Sequence, residues 1–274
     1  MGLEQYLWLI PLGLVIGTYG TLIGAGGGFV LVPVLLLLYP HESPEIITSI
    51  SLAVVFFNAL SGSVAYARLR RIDYDSGLLF SAATIPGAIL GAFTTAYIPR
   101  RLFDAVFGFL MIVVSAYLLL CSSREKETKE KSSHQITCNF VEANGTNHIL
   151  SYKPAVGIGL SFFVGYISSL LGIGGGIIHV PVLANLLDFP LHIATATSHF
   201  ILAIMALAGT IVHIVTGAFA YGIRRTIALA IGVLLGAQVG AMLSTRVKGA
   251  WIIRGLAIAL GFVGARVFIM AWTG

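Results

Sequence analysis

Two glycine-rich segments, half a chain apart, limit what this sequence can become. They read Gly17-Thr-Tyr-Gly20-Thr-Leu-Ile-Gly24-Ala-Gly26-Gly27-Gly28-Phe-Val-Leu-Val-Pro33-Val and Gly165-Tyr-Ile-Ser-Ser-Leu-Leu-Gly172-Ile-Gly174-Gly175-Gly176-Ile-Ile-His179-Val-Pro181-Val. Both lie in apolar sequence, yet neither suits an unbroken spanning helix, because Gly costs about 1 kcal/mol and interior Pro about 3 kcal/mol relative to Ala. Irregular backbone survives at membrane depth only where protein buries it or where it lines a cavity. Paired Gly/Pro interruptions at matching places in two halves point to a transport site. The chain therefore reads as a duplicated membrane protein.

Composition agrees. Hydrophobic residues make up 57% of the chain and charged residues 10%, with a mean hydropathy of +0.95, whereas soluble domains carry about 25% charged residues. The formal net charge is +5, but Arg and Lys gather between apolar runs, where topology signals lie. Most of that charge reads as orientation. Cys121 and Cys138 are the only cysteines and lack metal-type spacing. The first apolar run follows Glu4, with no basic residue before it and no small-residue cleavage site. It reads as a spanning segment and not as a signal peptide.

The expected fold is an all-α polytopic membrane protein with two homologous repeats. Apolar segments fall near 5–23, 29–39, 46–66, 77–97 and 102–121, and again near 154–171, 177–187, 194–216, 225–243 and 251–272. Most reach the ~20 residues needed to cross a bilayer, but 29–39 and 177–187 are about half that length. These two are expected to be half-helices or re-entrant elements meeting near the membrane midplane. The chain divides into membrane repeat 1 (1–121), a polar linker (122–153) and membrane repeat 2 (154–274). The linker holds the charged run Arg124–Lys131 and the sequon Asn144-Gly-Thr146, and its composition favours loose structure. Gly87-Ala88…Gly91-Ala92 and Gly236-Ala237…Gly240-Ala241 have the spacing of close helix contacts. Basic clusters at Arg68–Arg71, Arg100/Arg101, the linker, Arg224/Arg225 and Arg246/Lys248 satisfy the positive-inside rule in two ways. An odd number of crossings per half puts both termini outside, and an even number puts both inside.

The chemistry is expected at the glycines. Neither copy is a dinucleotide fingerprint, since Phe29 and Ile177 occupy the final Gly position. Glycines can instead turn successive N–H groups toward a ligand, and a half-helix starting just after them presents its positive end. Gly24, Gly26, Gly27 and Gly28 face Gly172, Gly174, Gly175 and Gly176 in this scheme, making an anion site without a buried lysine.

The pair Gly24–Val34 and Gly172–Val182, with the Ala-Thr-Ala-Thr-Ser stretch at 194–198, resembles the sulfite exporter TauE/SafE family of membrane permeases. The likeness covers nearly the whole chain apart from the linker. It implies transport of a small sulfur-containing oxyanion such as sulfite or an organosulfonate, with the substrate left open. Thr48, Ser49 and Ser51 in the first half, and Thr195, Thr197 and Ser198 in the second, are candidate hydroxyl donors beside the glycines. The same residues also suit helix caps and interhelical contacts. His179, His192, His199 and His213 lie in or beside second-half segments, and first-half segments hold no histidine. His199 and His179 are the candidates for proton coupling, and His199 also for substrate binding. No carboxylate falls mid-span, which suits an anion site. Arg266 sits inside the last apolar run and is expected to snorkel to the interface. Asn58 and Gln238 are expected to make interhelical hydrogen bonds.

A secondary transporter is the leading expectation, with a passive anion channel as the alternative. An intramembrane hydrolase is remote: no G-x-S-x-G or H-E-x-x-H occurs, and adjacent Ser198 and His199 diverge on a helix. No catalytic residue, metal or cofactor is expected. The expected partners are a small anion and the lipid bilayer, with assembly of several copies left open and nucleic acid not expected. The expected location is the plasma membrane of a prokaryote.

Overall fold

Local chemistry sets where the helices begin and end. A computed structural model describes residues 6–121, 136–141, 147–152, 154–244 and 249–273. The first half runs α1 (Leu9–Ile23), α2 (Gly28–Leu38), α3 (Pro44–Arg68), α4 (Tyr74–Thr95) and α5 (Arg100–Cys121). Two strands follow, β1 (Ile136–Val141) and β2 (Asn147–Tyr152), paired antiparallel. The second half runs α6 (Pro154–Leu171), α7 (Gly176–Pro181) with a wider π-turn (Val182–Leu186), α8 (Leu191–Val215), α9 (Phe219–Leu243) and α10 (Gly249–Thr273). Gly24 ends α1 in the left-handed conformation, and Ser43 caps α3 by accepting from the Ile46 N–H, with Pro44 in the first turn. Pro181 offers no N–H, and the helix widens after it.

Six described helices are long and apolar enough to cross a membrane: Pro44–Arg68, Tyr74–Thr95, Arg100–Leu120, Pro154–Leu171, Leu191–Val215 and Phe219–Leu243. The protein is an integral, multi-pass membrane protein. Leu78, Phe93, Phe109, Leu120, Phe163 and Phe262 stand exposed on its outer faces, a surface that suits lipid and not water. α9 starts six residues earlier than the apolar pattern suggests, so Arg224 and Arg225 ride on its first two turns. The helix outlasts the apolar run because backbone hydrogen bonding continues past it. Arg266 is exposed on α10. The linker residues that are described pair as strands, where composition alone favours loose structure. The charged run at 124–131 and Asn144 lie outside the described residues.

Contacts give the helix directions. α3 and α8 are antiparallel: Thr216, just past α8, donates to Glu45 at the start of α3 (3.1 Å), while Tyr66 meets His199 at the opposite end. α5 and α10 are also antiparallel, with Arg101 donating to the Ala271 carbonyl (2.7 Å) and Ser115 to that of Ala257 (2.6 Å). α1 runs parallel to α9, and α6 parallel to α4. Small residues make those last two contacts close: Gly13 faces Leu229 and Gly240 faces Thr18, as Gly87 faces Phe162 and Gly91 faces Tyr166. Any Cβ at Gly87, Gly91, Gly236 or Gly240 would run into backbone of the partner helix, which is the small-residue packing the sequence spacing anticipates.

The short elements double back. Arg225 stacks over the ring of Tyr39, just after α2, and lines a cavity with Tyr6, just before α1. α1 and α2 thus form a hairpin open at one end of the bundle. α6 and α7 form another, because Gly157 in the first turn of α6 lies against Leu187, which follows the π-turn. That hairpin opens at the opposite end, where Phe80 packs on Leu187 and Ile193.

Candidate functional site

The tips of the two hairpins touch, and the glycines make that contact. Gly24, Gly26 and Gly27 have φ of 81°, 75° and 82°, and Gly172, Gly174 and Gly175 have 69°, 81° and 67°. An L side chain is strained by about 1–2 kcal/mol in that region. Ala25 and Ile173, between the positive-φ glycines, are buried. Gly28 and Gly176 are helical, and proximity constrains them. A Cβ on Gly28 would stand 2.6 Å from the Gly172 carbonyl oxygen, and one on Gly176 would overlap the Gly24 carbonyl. Both short helices therefore start at the contact. Gly26 and Gly174 also abut Val55, near the middle of α3, and Gly26 abuts Leu202, near the middle of α8.

Each tip is held by the long helix of the opposite half. Ser51 Oγ donates to the Gly172 carbonyl (2.6 Å), and Ser198 Oγ to the Gly24 carbonyl (3.3 Å). Thr48 packs on Gly172 and Thr195 on Gly24. Such a hydroxyl–carbonyl bond is worth about 1 kcal/mol net, and satisfying a freed backbone carbonyl is what a broken helix in a membrane needs.

These bonds change the part the sequence suggests for the hydroxyls. Thr48 donates to the Pro44 carbonyl (2.9 Å), Ser49 to that of Ile46 (2.7 Å) and Thr195 to that of Leu191 (2.8 Å). Back-bonding of this kind is common for Ser and Thr inside helices. Together with Ser51 and Ser198, these residues have committed their hydroxyl protons to carbonyls. Thr197 Oγ1 accepts from the Asp73 backbone N–H (3.0 Å). The glycines, Thr48, Ser51, Thr195 and Ser198 converge on the tip contact, while Ser49 and Thr197 bond away from it.

The two candidate histidines are separated. His179, on α7, pairs through Nε2 with Ser161 Oγ on α6 (3.2 Å), inside one hairpin. His199, on α8, reaches the other hairpin: its Nε2 lies 3.2 Å from Thr21 Oγ1, and its ring meets Tyr66 edge-on at 5.7 Å. Both are buried. His213 is buried as well, with no hydrogen-bond partner for either ring nitrogen among the described residues. Gln238 donates to Ser61 across the α9–α3 contact (2.9 Å), as its sequence setting suggests.

Thr21, Tyr66, Ser161 and Asp73 escape sequence reasoning, because contacts between distant helices leave no periodic trace. Asp73 does lie at a segment end, but its loop is tucked in and only 5% of it is exposed. That Arg100 and Arg225, from two separate basic clusters, meet at the mouth of the first hairpin is also invisible in sequence. Arg225 pairs with Glu42 and stacks 4.2 Å from the Tyr39 ring centroid, while Arg100 pairs with Asp104 (2.8 Å) and donates to the carbonyls of Glu42 and Leu36. Burial pushes the Tyr39 phenol above its usual pKa. Arg225 opposes that shift, and Tyr6 and Glu42 add to it.

Opposed broken hairpins inside a helical membrane bundle are the architecture of a transporter. Comparison with known proteins places the chain within that class. The model of the sulfite exporter TauE/SafE family matches residues 9–267, and the chain belongs to that family. It is 33% identical to "Probable membrane transporter protein YunE" of Bacillus subtilis, over 96% of this chain and 97% of that one. It is 22% identical to a "Probable membrane transporter protein" of Methanocaldococcus jannaschii over 95% and 96% of the two chains, and 28% identical to YdhB of Bacillus subtilis over 86% and 87%. No solved structure matches. The protein is a membrane transporter and not an enzyme.

Proposed function

We propose that the protein is a secondary transporter of a small sulfur-containing oxyanion, such as sulfite or an organosulfonate, that binds between the two glycine turns and is exposed alternately to either side. One observation carries this reading: the two tips seat against each other at the middle of the long helices, with both short helices starting there. Helix N-termini stabilise negative charge, and no basic side chain is needed beside them. The family's name supplies the sulfur oxyanion. Rocking of one half against the other would open the contact from each end in turn.

The two halves are read as repeats of one inverted unit. Matching helices α3 and α8 run antiparallel, as do α5 and α10, and the hairpins open at opposite ends. Each half then crosses the membrane three times, by α3, α4 and α5 and by α8, α9 and α10, since its hairpin enters and leaves on one side. The first apolar run, read from sequence as a span, and α6, long enough to be one, are then hairpin arms. Arg68, Arg70 and Arg71, the linker and the 246–248 cluster share a side under this count. The positive-inside rule makes that side cytoplasmic and both termini external, in a prokaryotic plasma membrane.

Proteoliposomes preloaded with sulfite should accumulate radiolabelled sulfite by counterflow. Large unitary currents without counterflow would replace the carrier by a channel. Absence of both, across sulfite and simple sulfonates, would end the oxyanion reading.

A further inference from the structure

Beside the first glycine turn runs a chain of three buried polar side chains, His199, Thr21 and Asn58. Thr21 stands three residues before Gly24, and its carbonyl accepts from the Gly24 N–H (3.1 Å) and from the Tyr66 hydroxyl (2.8 Å). With Asn58 Oδ1 facing Thr21, the Thr21 hydroxyl donates to it (3.1 Å). That spends the one proton of Thr21, so its oxygen accepts from His199, whose Nε2 lies at 3.2 Å and carries the hydrogen. The donor order is therefore His199 to Thr21 to Asn58.

It leaves the Asn58 amide nitrogen with two N–H groups and no partner among the described residues, on a residue with no solvent exposure. An unmet buried donor costs about 1–3 kcal/mol, and this one sits on a side chain joined to the first glycine turn through Thr21, one helical turn along α3 from Val55, which Gly26 abuts. The other half shows what this position looks like without the device. At the matching offset Asn58 becomes Met205, buried and apolar, and Thr21 becomes Ser169, whose buried hydroxyl has no partner among the described residues. Packing at the two sites is otherwise alike. Gly62 lies against Thr21 and His199, and Gly209 lies against Ser169 and Leu52.

We propose that Asn58 is a substrate-binding residue whose amide N–H groups hydrogen-bond the oxyanion at the first glycine turn, and that Thr21 is the positioning residue that turns this amide toward it. This rests on the oxyanion reading above. The protein then recognises its substrate unequally: both tips supply backbone, and only the first-half side supplies a side-chain amide. An uncharged amide donor suits a carrier, because it binds an anion without the deep trap of a buried cation.

The test is equilibrium binding of radiolabelled sulfite to the purified full chain in detergent, with thermal unfolding of each variant measured alongside. Asn58→Leu should weaken binding about tenfold or more while leaving the unfolding temperature unchanged or raised, since it removes unmet buried donors. Asn58→Ser, smaller and able to accept from Thr21, serves if the Leu variant does not fold, and should weaken binding similarly. Thr21→Val should also weaken binding, and Thr21→Ser should restore it, a rescue that a packing role does not produce. Wild-type binding matched by folded Asn58 variants would overturn the proposal and leave the oxyanion reading standing. Failure of the wild type to bind sulfite or any simple sulfonate would remove the oxyanion reading and this proposal together.

Discussion

The two hairpins share a turn and differ in what holds their open ends. At the mouth of the first, Arg225 grips Glu42 and the Tyr39 ring, and Arg100 reaches the carbonyls of Leu36 and Glu42. Two long helices thus fasten one short loop with charge-assisted bonds. At the mouth of the second, Phe80, Leu183, Leu187, Phe189 and Ile193 close the end by apolar contact, and the returning helix is already widened by its π-turn. Charge-assisted bonds are directional, whereas apolar contact is not. The two mouths thus differ in chemistry: charged side chains fasten the first, while the second is closed mainly by apolar contact, with Asn185 of the π-turn donating to the Tyr117 hydroxyl (3.0 Å).

The comparison breaks most visibly at the tips, where the hairpins should be equivalent. Gly28→Ala and Gly176→Ala each place a methyl group against the opposite turn's carbonyl, without the strain of a positive φ. Each should cut counterflow about a hundredfold, the scale expected of an ångström-sized misplacement. Normal flux in either would separate the tip contact from transport.

A smaller effect sharpens the difference between the mouths. Arg225→Gln leaves Glu42 without its cation and should cost about 1–2 kcal/mol, a part-buried pair being worth less than a fully buried one. Leu187→Ala at the other mouth removes buried aliphatic volume and should cost about 2–3 kcal/mol. Thermal unfolding at several salt concentrations distinguishes them. The loss in Arg225→Gln should shrink as salt screens the wild-type pair, and the loss in Leu187→Ala should not. Equal salt response would erase the contrast. Smallest is the pair Ser51→Ala and Ser198→Ala. The 2.6 Å bond should be worth about 0.5 kcal/mol more than the 3.3 Å bond, so Ser51→Ala should lower the unfolding temperature further.

Much of the fold is legible in the sequence because apolar run length and glycine placement are local signals. The break at Gly24–Gly28, its copy at Gly172–Gly176 and the short helices after them need no tertiary information. Helix direction is a different matter. Both topologies satisfy the charge rule, and only contacts such as Thr216 to Glu45 show α3 and α8 to be antiparallel. The hydroxyl cluster was visible as Thr48-Ser49-Ile50-Ser51 and Thr195-Ala196-Thr197-Ser198, but not the direction of its protons, which depends on carbonyls up to 174 residues away. Asn58 and Thr21 pass as ordinary helix polars until His199 is placed beside them.

The central claim is that the substrate sits where the two glycine turns meet. The most direct measurement is a structure of the protein with selenite, an electron-dense analogue of sulfite. Density between Gly24–Gly28 and Gly172–Gly176 is the predicted result. Density confined to the cavity beside Tyr6, Tyr221 and Arg225, with the glycine turns still closed on each other, would contradict it.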